Sequence, residues 1–169
     1  AKPLVARPEW RACPTQPYVW TMEGWLYHAV LLDLYARRVV GWAMGQRLTV
    51  GLAERALTRA RANRAPTAGL QHHSDRGSQY AATSYQRVLN GYGLIPSMSR
   101  KGNCCYNSCV ESFFGILKRA LVYHRRYATR EEATQDIFEY IEVFYNRKRR
   151  HSTLGYDSPA EYEARAAVA

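Results

Sequence analysis

No apolar run in this chain is long enough for a bilayer-spanning helix, which needs about 20 consecutive predominantly apolar residues, so no membrane partner is expected. The first eight residues, Ala-Lys-Pro-Leu-Val-Ala-Arg-Pro, lack the basic, then apolar, then small-residue order of a secretory signal, which predicts a cytoplasmic, nucleoid-associated location. Cysteine is scarce and unpaired in spacing. Cys13, Cys104, Cys105 and Cys109 make no Cys-x-x-Cys, and no His-x-x-x-His accompanies them, which argues against zinc and for free thiols in a reducing compartment. Acidic residues are few as well, 14 against 24 lysines and arginines, and the formal charge of +10 favours an anionic polymer as partner over an acidic small molecule.

What is present is globular in composition, 47% apolar and 22% charged, with no repeat or low-complexity tract, and 169 residues make one ordinary domain. The positive charge is clustered. Arg147, Lys148, Arg149, Arg150 and His151 form one block, and His124, Arg125 and Arg126 another. With Tyr123, Tyr127, Tyr145 and Tyr156 between them, these blocks suit phosphate contact plus stacking, although a basic helix end gives the same pattern.

Residues Tyr18 to Thr21, Trp25 to Asp33 and Arg38 to Met44 are rich in β-branched and aromatic residues, with turns at Glu23-Gly24 and Leu34 to Arg37, and read as a three-stranded meander. From Thr49 the period becomes helical, with Leu52, Ala56, Leu57 and Ala60 on one side until Pro66. Leu70 to Ser74 and Leu94 to Met98 are short strands around a helix at Ser84 to Asn90. A third helix carries Val110, Phe113, Phe114, Leu117 and Leu121 as one apolar stripe, with Asn107, Glu111 and Lys118 on a neighbouring face. Thr129 to Glu132 is a capping box opening a fourth helix that turns Ala133, Ile137, Tyr140, Ile141 and Phe144 inward, and Ser158 to Glu161 opens a short terminal helix. A meander followed by β-α-β units predicts an α/β fold, a mixed five-stranded sheet flanked by helices. The divisions are an irregular N-terminal segment (1–17), a core (18–128) and a basic helical extension of the same domain (129–169).

Nine segments in order carry a family likeness: Gly24-Trp-Leu-Tyr27, Leu32-Asp-Leu34, Arg38-Val-Val-Gly-Trp42, His73-Ser-Asp-Arg-Gly-Ser-Gln-Tyr80, Ser97-Met-Ser-Arg-Lys-Gly-Asn103, Glu111-Ser-Phe-Phe114, Tyr145-Asn-Arg147, Arg150-His-Ser152 and Leu154-Gly-Tyr156. Together they resemble bacterial insertion-sequence transposases whose core is related to retroviral integrase. The resemblance implies a ribonuclease H-like fold, a triad of two aspartates and a glutamate, two Mg²⁺ or Mn²⁺ ions, and DNA as partner in at least a dimer. Hard oxygen ligands suit these ions, and two ions can assist both the attacking and the leaving oxygen of a phosphodiester displacement. Asp75 matches the second carboxylate and Glu111, with 35 residues between, the third. Lys118 matches a DNA-contacting position, Arg100, Lys101, Arg147, Lys148, Arg149 and Arg150 are further candidates for DNA, and Asn107 would support the ligands. The family's end-recognising helix-turn-helix normally lies upstream, and the chain has no room for it before Trp10, so a fragment is expected.

The first acid is missing. Counting back from Tyr18 through an Asp-Ile-Thr-Tyr-like segment puts it at Thr15, whereas counting forward from Trp10 puts it at Cys13, so the two anchors disagree by two positions. Neither residue is a carboxylate, and a neutral hydroxyl offers a divalent ion far less. Asp33 lies too far along its strand to substitute and is expected to be structural. Tyr106 also stands where the family usually has an aspartate. A compensated reading-frame slip over Arg11 to Pro17 would explain the loss. Three functions fit these features: an impaired DNA strand-transfer core, a non-catalytic DNA-binding or oligomer-poisoning remnant, and a ribonuclease H-like nuclease.

Overall fold

The computed structural model describes residues 9–12, 18–66, 68–74, 77–98 and 108–168. Its sheet has six strands: β1 (Glu9–Ala12), β2 (Tyr18–Thr21), β3 (Gly24–Asp33), β4 (Val39–Gly45), β5 (Gln71–Ser74) and β6 (Ile95–Met98). The helices are α1 (Val50–Arg64), α2 (Ser78–Ala81), α3 (Thr83–Gly91), α4 (Ser108–Ala120), α5 (Arg130–Glu139) and α6 (Pro159–Val168).

The central strand is β3. Its even-numbered residues Leu26, Val30 and Leu32 join α4 and α5 in one core, and its odd-numbered Ala29 and Leu31 join α1 and α3 in another, as the two-residue period of a strand covered on both faces requires. On one side β3 pairs antiparallel with β4; on the other it pairs with both β2 and β1. The sheet therefore has six strands rather than the expected five because its first strand is in two pieces, one of them in the segment expected to be irregular. Trp10, buried against the α1-side core, holds that piece in place.

The two pieces are out of register. Ala12 faces Leu31 and Tyr18 faces Tyr27, so residues 13–17, which lie outside the described residues, are five where β3 offers only 28–30. The excess of two is the disagreement between the Trp10 and Tyr18 anchors. Extending either register leads to the same residue of β3, Val30.

The open edge of β4 is closed by side chains. Arg55, Arg59 and Asn63 of α1 donate to the carbonyls of Met44, Trp42 and Val40 at 3.2, 3.1 and 3.0 Å. Four residues of helix rise about 6 Å and two of strand about 6.6 Å, so an antiparallel helix can reach every second carbonyl. Buried Asn146 completes the edge by accepting from the Val39 N–H at 2.9 Å and donating to its carbonyl at 3.0 Å.

Thr129 and Ser158 cap their helices by accepting from the N–H groups of Glu132 and Glu161; Glu161 closes its box by accepting from the Ser158 N–H, whereas Glu132 accepts from the Ala128 N–H. The expectation that Phe144 turns inward fails, because α5 passes into a π-helical stretch over Tyr140–Tyr145. The wider turn inserts one residue and shifts the buried phase. Ile137, Ile141 and Tyr145 are buried, whereas Phe144 is 44% exposed.

Candidate nucleic-acid and metal site

Strands β1, β5 and β6 run parallel, and their carboxyl ends lie side by side, Ala12 beside Ser74 and Ser74 beside Met98. The ends of parallel strands are where open α/β sheets place their chemistry. Asp75 follows Ser74 directly in the chain and lies outside the described residues, as do Thr15, Arg100, Lys101, Tyr106 and Asn107.

Glu111 stands exposed in the first turn of α4. Val110, Phe113, Phe114 and Leu117 bury one side of this helix against Val19, Leu26, Val30 and Leu32. At 100° per residue, Glu111 and Lys118 share one flank of that stripe, while Ser108, Ser112 and Ile116 form the other, roughly 120° away. Lys118 is half-buried, with Nζ 5.5 Å from the centroid of the Tyr18 ring. Beside it His28 is buried, stacked on Phe114 at 5.6 Å, with neither ring nitrogen hydrogen-bonded. Burial, reinforced by the Lys118 charge, lowers the His28 pKa to about 3.

The second flank faces a cleft of about 530 Å³ lined by Arg37, Ser108, Ser112, Arg149, Arg150 and His151, with Tyr145 as its wall. The Arg149 guanidinium lies 5.5 Å over the Tyr145 ring and donates to the His151 ring at 2.8 Å. Burial first, then the charges of Arg149 and Arg37, lowers the His151 pKa to about 4, so the ring is neutral near pH 7 and accepts that bond. Guanidinium groups, hydroxyls and a neutral imidazole make a surface suited to phosphate.

The structure thus divides the basic block. Arg149 and Arg150 line the α4 cleft, Lys148 is exposed, and Arg147 turns to a separate groove beside β4 with Arg38, Arg59 and Arg64. Tyr145 and Tyr127, read as stacking residues, are buried at 3% and 2% and serve the core; Tyr123 and Tyr156 are exposed. Arg37 was not legible as a site residue. It adopts a left-handed conformation, φ 56°, in the β3–β4 turn and donates to the Cys109 sulfur, a placement that no spacing signals. Asp33 supports its turn, its carboxylate accepting the Tyr35 N–H at 3.0 Å.

A split antiparallel meander, parallel strand ends and a glutamate-bearing helix define an integrase-type catalytic core. The chain belongs to the integrase core domain family, whose two profiles match residues 14–104 and 111–166. It is 52% identical over 145 residues to the insertion element IS600 31 kDa protein of Shigella sonnei, covering 86% of this chain and 53% of that protein. To the transposase for insertion sequence element IS904 of Lactococcus lactis it is 46% identical over 146 residues, covering 86% and 58%. It therefore spans about half the length of the curated relatives it matches. In fold it is similar to a chain of the simian T-cell lymphotropic virus intasome in complex with the PP2A regulatory subunit B56 gamma (TM-score 0.75, 15% identity, 96% of this chain and 56% of that one). It is also similar to the HTLV-2 integrase catalytic core domain in complex with magnesium (TM-score 0.69, 12% identity, 94% and 97%).

Proposed function

We propose that this chain is the DNA-binding catalytic core of an insertion-sequence transposase whose strand-transfer chemistry is greatly reduced by loss of its first acid. The observation that carries this reading is the register offset: both pieces of the first strand count to Val30, and neither Cys13 nor Thr15 brings a carboxylate there. Asp75 and Glu111 remain, two hard oxygen donors that fit one weakly held Mg²⁺ or Mn²⁺ rather than a pair. Among the described residues no three His, Cys, Asp or Glu side chains are grouped to hold a metal. A bound ion would supply positive charge to a reacting phosphodiester. DNA phosphates lie in the cleft of Arg37, Arg149 and Arg150. Since a helix is about 10–12 Å across, a duplex over α4 reaches both its flanks.

The test is Mn²⁺-dependent nicking and joining of duplex DNA carrying the element's ends. Weak turnover abolished by Asp75→Asn, with binding retained, is expected. Replacing Arg149 and Arg150 with alanine is expected to weaken duplex binding by about tenfold or more and lower the salt dependence by about two charges. Turnover that survives Asp75→Asn overturns the metal assignment. The same register offset favours a second reading, a non-catalytic DNA-binding or oligomer-poisoning module, which binding without any turnover selects. Preferential cutting of an RNA–DNA hybrid selects a ribonuclease H-like nuclease.

A further inference from the structure

The β2–β3 hairpin carries four aromatic residues on one face, in two cross-strand pairs, Tyr18 opposite Tyr27 and Trp20 opposite Trp25. Their rings form a continuous edge-to-face series, with centroids 6.3 Å apart for Tyr27 and Tyr18, 4.7 Å for Tyr18 and Trp25, and 4.7 Å for Trp25 and Trp20. Tyr27 is partly seated on the α1-side core, but Trp20 and Trp25 are 56% and 42% exposed, and Met22 at the hairpin tip is 80% exposed. Core packing does not account for indoles left in water at the end of a rigid hairpin.

The series starts at the catalytic helix. Lys118, on the Glu111 flank of α4, places its ammonium over the Tyr18 ring, and the next residue, Arg119, is exposed. Cationic groups at one end and open π-faces at the other match an unpaired nucleic-acid strand, whose phosphates seek the first and whose bases seek the second. A second copy of this chain suits the patch less well: two half-exposed indoles and a methionine offer a few hundred Å², against roughly 800 Å² per partner in a stable interface.

We propose that Tyr18, Trp25 and Trp20 form a stacking track for unpaired nucleotides of a DNA strand that leaves the Glu111 flank of α4. The proposal rests on the reading of this chain as a DNA-binding core. Stacking is insensitive to base identity, so the track accepts any sequence with a mild preference set by stacking strength.

The test titrates the 169-residue chain with a dT oligonucleotide and, separately, with a duplex, reading tryptophan fluorescence and anisotropy. Quenching by the oligonucleotide is expected. Affinity should fall about tenfold in Trp20→Ala and recover largely in Trp20→Phe, while duplex affinity stays unchanged. Circular dichroism establishes that the variants fold, as a half-exposed site allows. Replacing Arg149 and Arg150 with alanine should weaken duplex binding yet leave the Trp20-dependent part of oligonucleotide binding intact. Duplex binding without oligonucleotide quenching, or oligonucleotide affinity indifferent to Trp20→Ala, overturns the track while sparing the DNA-binding core. Loss of duplex binding in the parent chain sinks the core reading instead, and oligonucleotide binding that persists there keeps the track. Self-association abolished by Trp20→Ala assigns the patch to a second copy and overturns the proposal.

Discussion

Strand β3 has two neighbours of different condition. Along β4 its pairing runs from Tyr27 to Leu32 with one irregularity, between Leu31 and Leu32, and α1 closes the far edge; along β1 and β2 the pairing is in two pieces offset by two residues. The continuous side, with the buried stripe of α4, holds much of the core, to which Trp10, Ala12 and Val19 of the other side also belong. The interrupted side is where the proposed loss of the first acid falls.

Repairing the interrupted side is the largest expected effect. Replacing residues 13–17 with Asp-Ile-Thr leaves three residues against 28–30 of β3, brings Trp10 and Tyr18 into one register and sets an aspartate opposite Val30. Mn²⁺-dependent DNA joining is expected to rise by about 100-fold or more, beyond what supporting ligands alone contribute. Thr15→Asp with Tyr106→Asp is expected to gain less, because the two surplus residues stay. Equal gains from both variants, or none from either, would break the comparison.

Injury to the continuous side comes next. A Cβ at Gly41 would fall inside contact distance of the Ala56 carbonyl oxygen and 2.7 Å from the Ala60 nitrogen, and helix backbone cannot give way as a flexible side chain can. Gly41→Ala is expected to lower unfolding stability by about 2–3 kcal/mol in urea titration. A loss under about 0.5 kcal/mol would show that α1 floats on β4 and does not close it.

The smallest effect sharpens what lies between. His28 sits on β3, buried with both ring nitrogens unpaired. His28→Leu is expected to raise stability at pH 7 by about 1 kcal/mol, by removing unsatisfied polar atoms. With the His28 pKa at about 3 in the folded chain and 6.5 as its ordinary value, the unfolded state binds the extra proton between those limits. Stability is therefore present above pH 6.5 and lost as pH falls toward 3, by up to about 1.4 kcal/mol per pH unit. His72, buried and lowered to about 4, adds to the same limb. In a thermal series from pH 7 to 4, His28→Leu should show a shallower acid decline; an unchanged slope would remove His28 as a cause.

Much of the fold is legible in the sequence. The nearly continuous apolar run from Trp25 to Leu34 marked a central strand buried on both faces, and the stripe Val110, Phe113, Phe114 and Leu117 marked the helix that carries Glu111. The offset itself was legible as two anchors that disagreed. Illegible features depended on backbone geometry that residue types do not encode. The π-helical stretch moved Tyr145 into the core in place of Phe144, and Asn146, which follows it, meets Val39. Arg37 reaches the α4 cleft from a left-handed position in the β3–β4 turn that residue types do not announce. Composition grouped the basic residues, whereas the structure sends Arg147 and Arg149 to different grooves.

The side chains that close β4 also limit how copies of this molecule can meet. A bare edge strand invites another strand to add to it and grow without end. Here the carbonyls of Val40, Trp42 and Met44 already hold side-chain donors, and Val39 holds Asn146. A strand adding to this edge would first have to displace those side chains.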